Sequence, residues 1–569
     1  MKAKESKIAA SDIEANDWIK FLMIGFYDGK EYRVFKRIDD YLDFLITKER
    51  NGTQVYFHNG GRYDFLFLIE KLLERGDVKF VNKSSGLISI VFRKGNIRIE
   101  FRDSYNLLPY SLEKLIEVYG IEEKKVSVDF NKEHKYSDKR LHSHLKNDCI
   151  ALYKILKEFE NREGFLSLTI ASHAMKQFEK KFFKGDFWNV NDKFDNYFRT
   201  YYYRGGRVEV YKGFGKNLYY YDINSLYPYV MREKMPVGNP ERTKKYQDGK
   251  IGFYKIKLEQ DYEKYISILV VKEKNGNYYV KGRKDEIYYL ISCELEEMIK
   301  EGVKFKVLDG YYFKSSDYLF NDYVEYYYSK KVNANNEIDK QIAKLMLNSL
   351  YGKFGQKLNG TTIEVDKGQG DYPIYDLENG LLLIDRKRNI KFKGVYIAAY
   401  ITALARITHY KLMKEIGFEH IYYCDTDSIV CDKEIKTGMG IGELKLVDKI
   451  KEGVFLMPKV YGYINDLGKE YVHYKGFGRD YFSYSELKKL AKGELTELRQ
   501  SMIRVLGFKE AIRRKNKILN SRGKFLKTAL QEKILSFNYT RRQIQKDKKH
   551  LFITFPFYKD EIIHLKKDE

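Results

Sequence analysis

The chain has 569 residues, 43% of them hydrophobic, and carries 104 Lys and Arg against 80 Asp and Glu. That length predicts about three or four domains rather than a small module, and the net charge of +24 favours a polyanionic partner unless it is merely solvated surface charge. Cys149, Cys293, Cys424 and Cys431 form no CxxC pair, the apolar run Val395–Ala405 is too short to span a membrane, and the charged amino terminus lacks a signal-peptide core. A disulfide framework, a zinc or iron–sulfur site and a membrane anchor are therefore not expected, and a soluble intracellular protein is.

Seven prolines leave few obvious linkers, so boundaries come from changes of pattern. Over residues 1–150, β-like runs at Ile19–Tyr27, Gln54–His58, Ile88–Phe92 and Ile97–Phe101 alternate with helical periodicity at Tyr63–Arg75 and Leu141–Glu158, which predicts an α/β domain. In SDIEA, Asp12 and Glu14 lie two apart, so on a strand both point to one face and can grip one metal, although a lone DxE is far more often a solvated strand end. YFHNGGRYD then ends a β-like run with Asp64, and HLKND puts Asp148 on a helix. His144, one turn before Asp148, shares its helical face and either orients or deprotonates a water or serves as a solvated or capping histidine.

Further along, YYYDINSLYPYVM joins an aromatic β run to a polar turn and places Asp222 at a strand end. Residues 232–330 are polar. In KLMLNSLYGKFG the spacing predicts an amphipathic helix, with Lys340, Lys344, Asn348 and Tyr351 on one face and Ile342, Met346 and Leu350 on another. The glycine-rich stretch 356–393 carries TTIEV and GLLLID around DKGQGDYP and predicts a hairpin. HIYYCDTDSIV predicts another, with Asp425 and Asp427 at its tip, either exposed or holding a metal. Residues 481–569 hold 22 Lys and Arg against 10 Asp and Glu, half the positive excess, and read mainly as helix with short strands near Phe552–Tyr558.

In this order, DxxSLYP, KxxxNSLYG and YCDTDS resemble the three palm and fingers motifs of family B DNA polymerases. DxE at Asp12/Glu14, Nx3(F/Y)D at Asn59/Tyr63/Asp64 and a YxxxD-like pattern at 144–148, with His144 for the tyrosine, resemble the motifs of their proofreading exonucleases. The resemblance runs from Asp12 to Lys475. It implies an α/β and α+β multidomain chain, an RNase H-like DEDD exonuclease domain followed by a right-hand polymerase domain of palm, fingers and thumb with two insertions. It further implies two divalent metals per site, Mg2+ with Mn2+ able to substitute, activating the attacking group and stabilising the leaving oxygen.

By the same resemblance, Asp222 and Asp427 are the main polymerase metal ligands, with Asp425 beside them and the Ile223 carbonyl contributing. Lys344 and Lys340 face the nucleotide's phosphates, Asn348 and Tyr351 form its pocket, and Tyr227 lies under its sugar. The exonuclease metals fall to Asp12, Glu14, Asp64 and Asp148, with Lys125 at the position of an exonuclease-site lysine, and His58, Asn59 and Ser104 contact the frayed primer strand. YYYRGGR, with Tyr203, Arg204, Gly205 and Gly206, resembles the YxGG motif that contacts template. PKVYGY, with Lys459 and Tyr461, resembles the KxY motif at the primer terminus, followed by Lys475.

The compact size and the positions of the insertions resemble the protein-primed replicases of small tailed phages and linear plasmids. That branch implies a monomer acting on DNA template, primer and dNTPs with a terminal protein as primer, in the host cytoplasm during replication. The expected domains are exonuclease 1–185, linker with YxGG and first palm motif 186–231, terminal-protein-contacting insertion 232–330, fingers helix 331–355, strand-displacing hairpin 356–393, palm 394–480 and basic thumb with C-terminal region 481–569. A polymerase extending only nucleic-acid primers, and more distantly a non-catalytic DNA-binding scaffold, are the alternatives. All seven principal carboxylates are present, which weighs against the scaffold.

Overall fold

The computed structural model describes residues 7–17, 20–83, 86–123, 126–129, 132–184, 187–274, 276–365, 381–388, 390–477, 481–505 and 528–565. Its amino-terminal part is a seven-stranded sheet in the order Tyr32–Phe35, Lys20–Tyr27, Ile8–Asn16, Gln54–Phe57, Ile97–Asp103, Gly86–Lys94, Asp77–Lys83. Ile8–Asn16 runs parallel to Gln54–Phe57, which runs parallel to Ile97–Asp103, and the outer pairs are antiparallel. Ala9, Val55, Phe57, Ile99 and Phe101 are buried on one face and Ala10 and Tyr56 on the other, as strands covered on both faces require. The helix Lys139–Glu163 packs across this sheet. It starts where the Asp138 carboxylate accepts from the Arg140 and Leu141 amides and stops at Gly164, a glycine in the left-handed region. Leu141, Leu145, Leu152 and Leu156 bury its inner face, which also carries His144 and Asp148.

A second seven-stranded sheet, antiparallel throughout, has the order Glu470–Tyr474, Val460–Asn465, Leu444–Met457, Phe214–Ile223, Ser428–Cys431, Ile421–Asp425, Val208–Val210. The apolar run seen in the sequence becomes the first half of helix Val395–Ile416, buried on nearly every side because it runs through the shared core. Among the described residues no helix is long and apolar enough to cross a membrane.

The polar stretch after residue 231 is a built unit. Strands Met235–Thr243, Phe305–Asp317, Gly252–Leu258 and Ile287–Ile291 form a sheet in that order, with helix Ser292–Lys300 behind it. Phe253, Tyr254, Ile256, Leu290 and Leu295 join the core of helix Val395–Ile416. Its last segment, Asn321–Val332, is a helix that pairs with Glu337–Ser349 of the expected fingers region. Asn359–Val365 pairs antiparallel with Leu381–Lys387, and Ile363, Leu381 and Leu383 enter the core of the amino-terminal sheet. The DKGQGDYP stretch between them lies outside the described residues.

Among the described residues the tail is not mainly helical. After helix Tyr484–Lys492, the described residues form two hairpins, Glu497–Val505 with Thr528–Ser536 and Gln543–Asp547 with Leu551–Phe555, then helix Lys559–Leu565. Leu498 and Gln500 are buried two apart, a strand period, and cross-strand pairing outweighs the helix propensity of the many Leu, Lys and Gln residues. Residues 542–558 fold back onto the second sheet. Arg542, fully buried, donates to a Glu209 carboxylate oxygen (3.2 Å) and to the Tyr265 (2.9 Å) and Thr554 (3.1 Å) carbonyls, and stacks on Tyr211 and Tyr265. The Gly213 amide donates to the Phe552 carbonyl, and the Lys281 amide to that of Phe557.

Candidate active sites

The first acid set is assembled by three elements. Asp12 and Glu14 come from the strand Ile8–Asn16, Asp64 begins the helix Asp64–Leu73, and Asp148 lies on Lys139–Glu163. Glu14, Asp64 and Asp148 are all under 9% exposed. Burial, then the charges of Asp64, Glu14 and Asp148, pushes the Asp12 carboxyl well above the ordinary carboxylate range. Burial likewise lifts Asp64 to about 7, although the Ile13 amide donates to its Oδ1 at 3.2 Å. His144 points into the same cluster. Its Nδ1 lies 2.6 Å from the Val126 carbonyl oxygen, and its Nε2 lies 3.7 Å from both Glu14 Oε1 and Asp148 Oδ2. Nδ1–H is therefore the donor to Val126, and Nε2 is the edge that faces the carboxylates.

The second set stands on the antiparallel sheet. Asp222 ends Phe214–Ile223, and Asp425 and Asp427 flank Thr426 in the tight turn between Ile421–Asp425 and Ser428–Cys431, with Thr426 at φ 62°. Across the strands Asp222 lies opposite Ser428 on one side and Lys445 on the other. The Ile223 amide donates to the Asp427 carbonyl at 2.7 Å, tying the two acids' strands together. Burial, then the charge of Asp222, lifts Asp427 to about 6. Burial also raises Asp222, against the pull of the Lys445, Lys344 and Lys331 ammonium groups. Asp425 differs, because Lys459 Nζ donates to both its oxygens at 2.7 Å.

Lys344 and Asn348 stand exposed on Glu337–Ser349, while Ile342, Met346 and Leu350 are buried, and Lys340 lies 3.8 Å from Glu337. Tyr351 and Tyr227 stack with ring centroids 4.3 Å apart and 13° between planes. The other side of the helix rests on the amino-terminal domain. There the Tyr110 hydroxyl donates to Gln341 (2.9 Å), Arg162 pairs with Asp339, and the Tyr327 hydroxyl of the preceding helix reaches Glu163 (3.4 Å).

Among the described residues no three His, Cys, Asp or Glu side chains converge tightly enough to hold a metal ion as they stand. The donor chemistry nonetheless suits a hard divalent cation. Each set is built of oxygen ligands only, and each holds buried like charges whose repulsion a cation would relieve.

A profile of DNA polymerase type B, organellar and viral, matches residues 45–140 and 127–427. The chain belongs to the organellar and viral type B DNA polymerases. This type B chain is 28% identical over 552 residues to a probable DNA polymerase of Neurospora intermedia, across 80% of its own length and 56% of the relative's. It spans 46% of a probable DNA polymerase of Podospora anserina, so it covers about half the length of these fungal relatives. To the DNA polymerase of Bacillus phage phi29 it is 28% identical over 482 residues, covering 75% of this chain and 80% of that one. Its fold is similar to that of phi29 DNA polymerase solved with primer-template DNA and incoming nucleotides, with a TM-score of 0.74 at 22% identity over 94% of this chain and 100% of that one.

Several expected contacts of this type B polymerase fall elsewhere. Arg204 is buried and donates to the Tyr289 carbonyl at 2.9 Å, so it braces the 232–330 unit. A Cβ on Gly206 would lie 2.7 Å from the Thr426 methyl, so that glycine makes room for the acidic turn; only at Gly205 is the space open. Tyr203 is half-buried. Ser104 is also buried, donating to the Phe57 carbonyl and lying 3.0 Å from His58 Nδ1, while His58 Nε2 lies 2.8 Å from the Tyr110 carbonyl. Ser104 thus holds His58, and exposed Asn59, at φ 65°, is left to face solvent. Tyr461 packs against Tyr423 and His473, and the amide of exposed Lys475 donates to the Lys459 carbonyl. Lys125 lies outside the described residues.

Sequence reasoning missed Lys331, which reaches Ser225 Oγ (3.2 Å) from the helix Asn321–Val332; only the pairing of two helices brings it to Asp222. It also missed Asp103, lifted by burial to about 6, which accepts from the Tyr105, Asn59 and Gly61 amides and so shapes the NGGR turn. Arg406, far along the chain, donates to Glu294 (2.7 Å) and to the Arg204 and Gly205 carbonyls (3.1 and 3.2 Å), and no linear signal marks it.

Proposed function

We propose that the chain is a DNA-directed DNA polymerase with its own 3'→5' proofreading exonuclease, replicating a linear phage or plasmid genome by protein-primed, strand-displacing synthesis. The observation that carries the reading is the presence of two separate carboxylate sets of different surroundings on one type B chain. Asp222 and Asp427 stand beside a group of lysines; Asp12, Glu14, Asp64 and Asp148 stand beside a histidine. Lysines suit a polyphosphate, and a histidine beside carboxylates suits hydrolysis by water.

In the polymerase site Asp222 and Asp427 would hold divalent metal, Mg2+ or Mn2+. Bound there, two cations supply the charge that favours a primer 3'-oxygen as nucleophile and pyrophosphate as leaving group. The chain's own residues position the reactants. Lys340, Lys344 and Lys331 draw the triphosphate, Asn348 and Tyr351 bound its pocket, and the Tyr227 ring fills the volume beneath the sugar. Lys459 and Tyr461 face the primer end. In the exonuclease site the four acids would hold metal, Asn59 and His58 guide the frayed strand, and His144 orients or deprotonates the water from Nε2. The 232–330 unit, bonded to the YxGG segment through Arg204, is the proposed seat of a terminal protein.

The test separates the sites. Asp427→Ala should abolish nucleotide addition while single-stranded DNA is still degraded, and Asp12→Ala with Glu14→Ala should do the reverse and raise misincorporation. Extension by Asp427→Ala near the parent rate would defeat the assignment. Labelling of a candidate terminal protein by dAMP, beside extension of a DNA primer, decides between protein priming and nucleic-acid priming alone.

A further inference from the structure

We propose that Lys445 is a further contact for the triphosphate of the incoming nucleotide, reaching it from the palm sheet and not from the fingers. The inference rests on the polymerase reading above and adds to it a residue outside every motif.

Lys445 lies in the strand Leu444–Met457, directly opposite Asp222 in the adjacent antiparallel strand. Cross-strand partners project from the same face of a sheet, with Cβ atoms about 5 Å apart, so the Lys445 amine is on the side of Asp222 that takes metal and nucleotide. The residue is exposed, and its ammonium group makes no hydrogen bond or ion pair among the described residues. Four residues on, Lys449 has the carboxylate of Glu434 3.5 Å away. Lys445 instead lies beside Asp222, as do Lys331 and Lys344.

Three ammonium groups beside Asp222 outnumber the carboxylates of Asp222 and its neighbour Asp427, since Asp425 has Lys459 of its own. Lys331 occupies itself with Ser225 Oγ at 3.2 Å, and exposed Lys344 makes no hydrogen bond or ion pair among the described residues. The excess is positive and sits at one point, which suits a ligand carrying several adjacent negative charges. A triphosphate concentrates them; a DNA backbone spreads them along its length.

The position is also rigid. The Asn224 amide donates to the Glu443 carbonyl at 2.9 Å, and the Gly442 amide to that of Asn224 at 2.8 Å, so the start of the Lys445 strand is fastened to the turn that follows Asp222. Lys331 and Lys344 ride on the paired helices. Lys445 therefore meets a phosphate without any movement of those helices, and it faces the pyrophosphate while it leaves.

The experiment uses the full chain with a primer–template and Mg2+, scoring single-nucleotide addition in the Asp12→Ala, Glu14→Ala background. Lys445→Gln should raise the KM for dNTP by about tenfold or more, with kcat less affected. It should raise by a similar factor the pyrophosphate needed to drive the reverse reaction. The Kd for primer–template, and single-stranded DNA degradation in the exonuclease-competent background, should stay at parent values, and Lys445→Arg should recover most of the loss. A dNTP KM within about twofold of the parent overturns the proposal. So does a loss that appears in the DNA Kd, or a variant changed only in its metal requirement, which would make Lys445 a counter-ion of Asp222. If Lys445→Gln is misfolded, with degradation lost as well, Lys445→Arg decides: an unchanged melting temperature with unrecovered dNTP KM also overturns it. Failure of the parent itself to add nucleotides overturns the polymerase reading instead.

Discussion

Gly206→Ala should damage nucleotide addition far more than the loss of one glycine would suggest. The added Cβ would lie 2.7 Å from Thr426 Cγ2, 3.0 Å from its Oγ1 and 3.1 Å from its Cα, about 0.7 Å inside ordinary contact at the closest point. Thr426 cannot simply turn away. Its amide donates to the Arg207 carbonyl at 2.6 Å, its hydroxyl to Asp425 Oδ1 at 3.1 Å, and its φ of 62° leaves the two-residue turn little freedom. The turn itself must shift, and Asp427 with it. Overpacking of this kind costs about 1–3 kcal/mol of stability, and a shift approaching 1 Å at the reacting centre costs about 10²-fold in rate. Single-nucleotide addition at saturating DNA and dNTP, in the Asp12→Ala, Glu14→Ala background, measures kcat, and thermal melting measures the fold. Gly205→Ala, where a Cβ meets nothing, should melt with the parent. A kcat for Gly206→Ala within about threefold of the parent would refute the argument that this glycine sets the acidic turn.

His144→Phe should slow 3'→5' degradation by about 10²-fold or more while single-stranded DNA still binds; unchanged turnover would leave the histidine a packing residue. Tyr227→Val, which removes one ring of the Tyr227–Tyr351 stack, should raise ribonucleotide use relative to deoxynucleotide use, and a constant ratio would remove it as the sugar gate. Replacing residues 366–380 with a short Gly/Ser linker spares Ile363, Leu381 and Leu383 in the amino-terminal core. It should preserve single-nucleotide addition yet shorten products and stop synthesis through duplex DNA; undiminished strand displacement would remove the 356–393 hairpin as the strand-displacing element.

What the sequence makes legible is what has a short period or a fixed spacing. Asp12 with Glu14, the Asp425–Asp427 turn and the polar stripe of Lys340, Lys344 and Asn348 are local patterns, and each appears on the element expected of it. The tail misleads because Leu, Lys and Gln favour helix when read alone, whereas Leu498 and Gln500 are buried at a strand period against a partner some thirty residues on. Lys331 and Lys445 escape notice because their meaning is a distance across helices or strands. Arg204 and Gly206 mislead in the opposite way. Their motif marks them as DNA contacts, and yet their neighbours are Tyr289 and Thr426.

The return of residues 542–558 to the second sheet imposes an order on biosynthesis. All strands of the amino-terminal sheet and the helix across it have emerged once residue 163 has left the ribosome, so that layer can begin to consolidate early. The second sheet is different. Glu209 waits for Arg542, and the amides of Gly213 and Lys281 wait for the carbonyls of Phe552 and Phe557, more than 250 residues later in each case. Until then the edge of that sheet stands open beside a buried carboxylate that has Arg207 at 3.7 Å but lacks its second guanidinium. A nascent chain stalled between the two would carry a nearly finished first sheet attached to an unsealed second one, and a truncation that removes Arg542 should leave the second sheet aggregation-prone while the first persists.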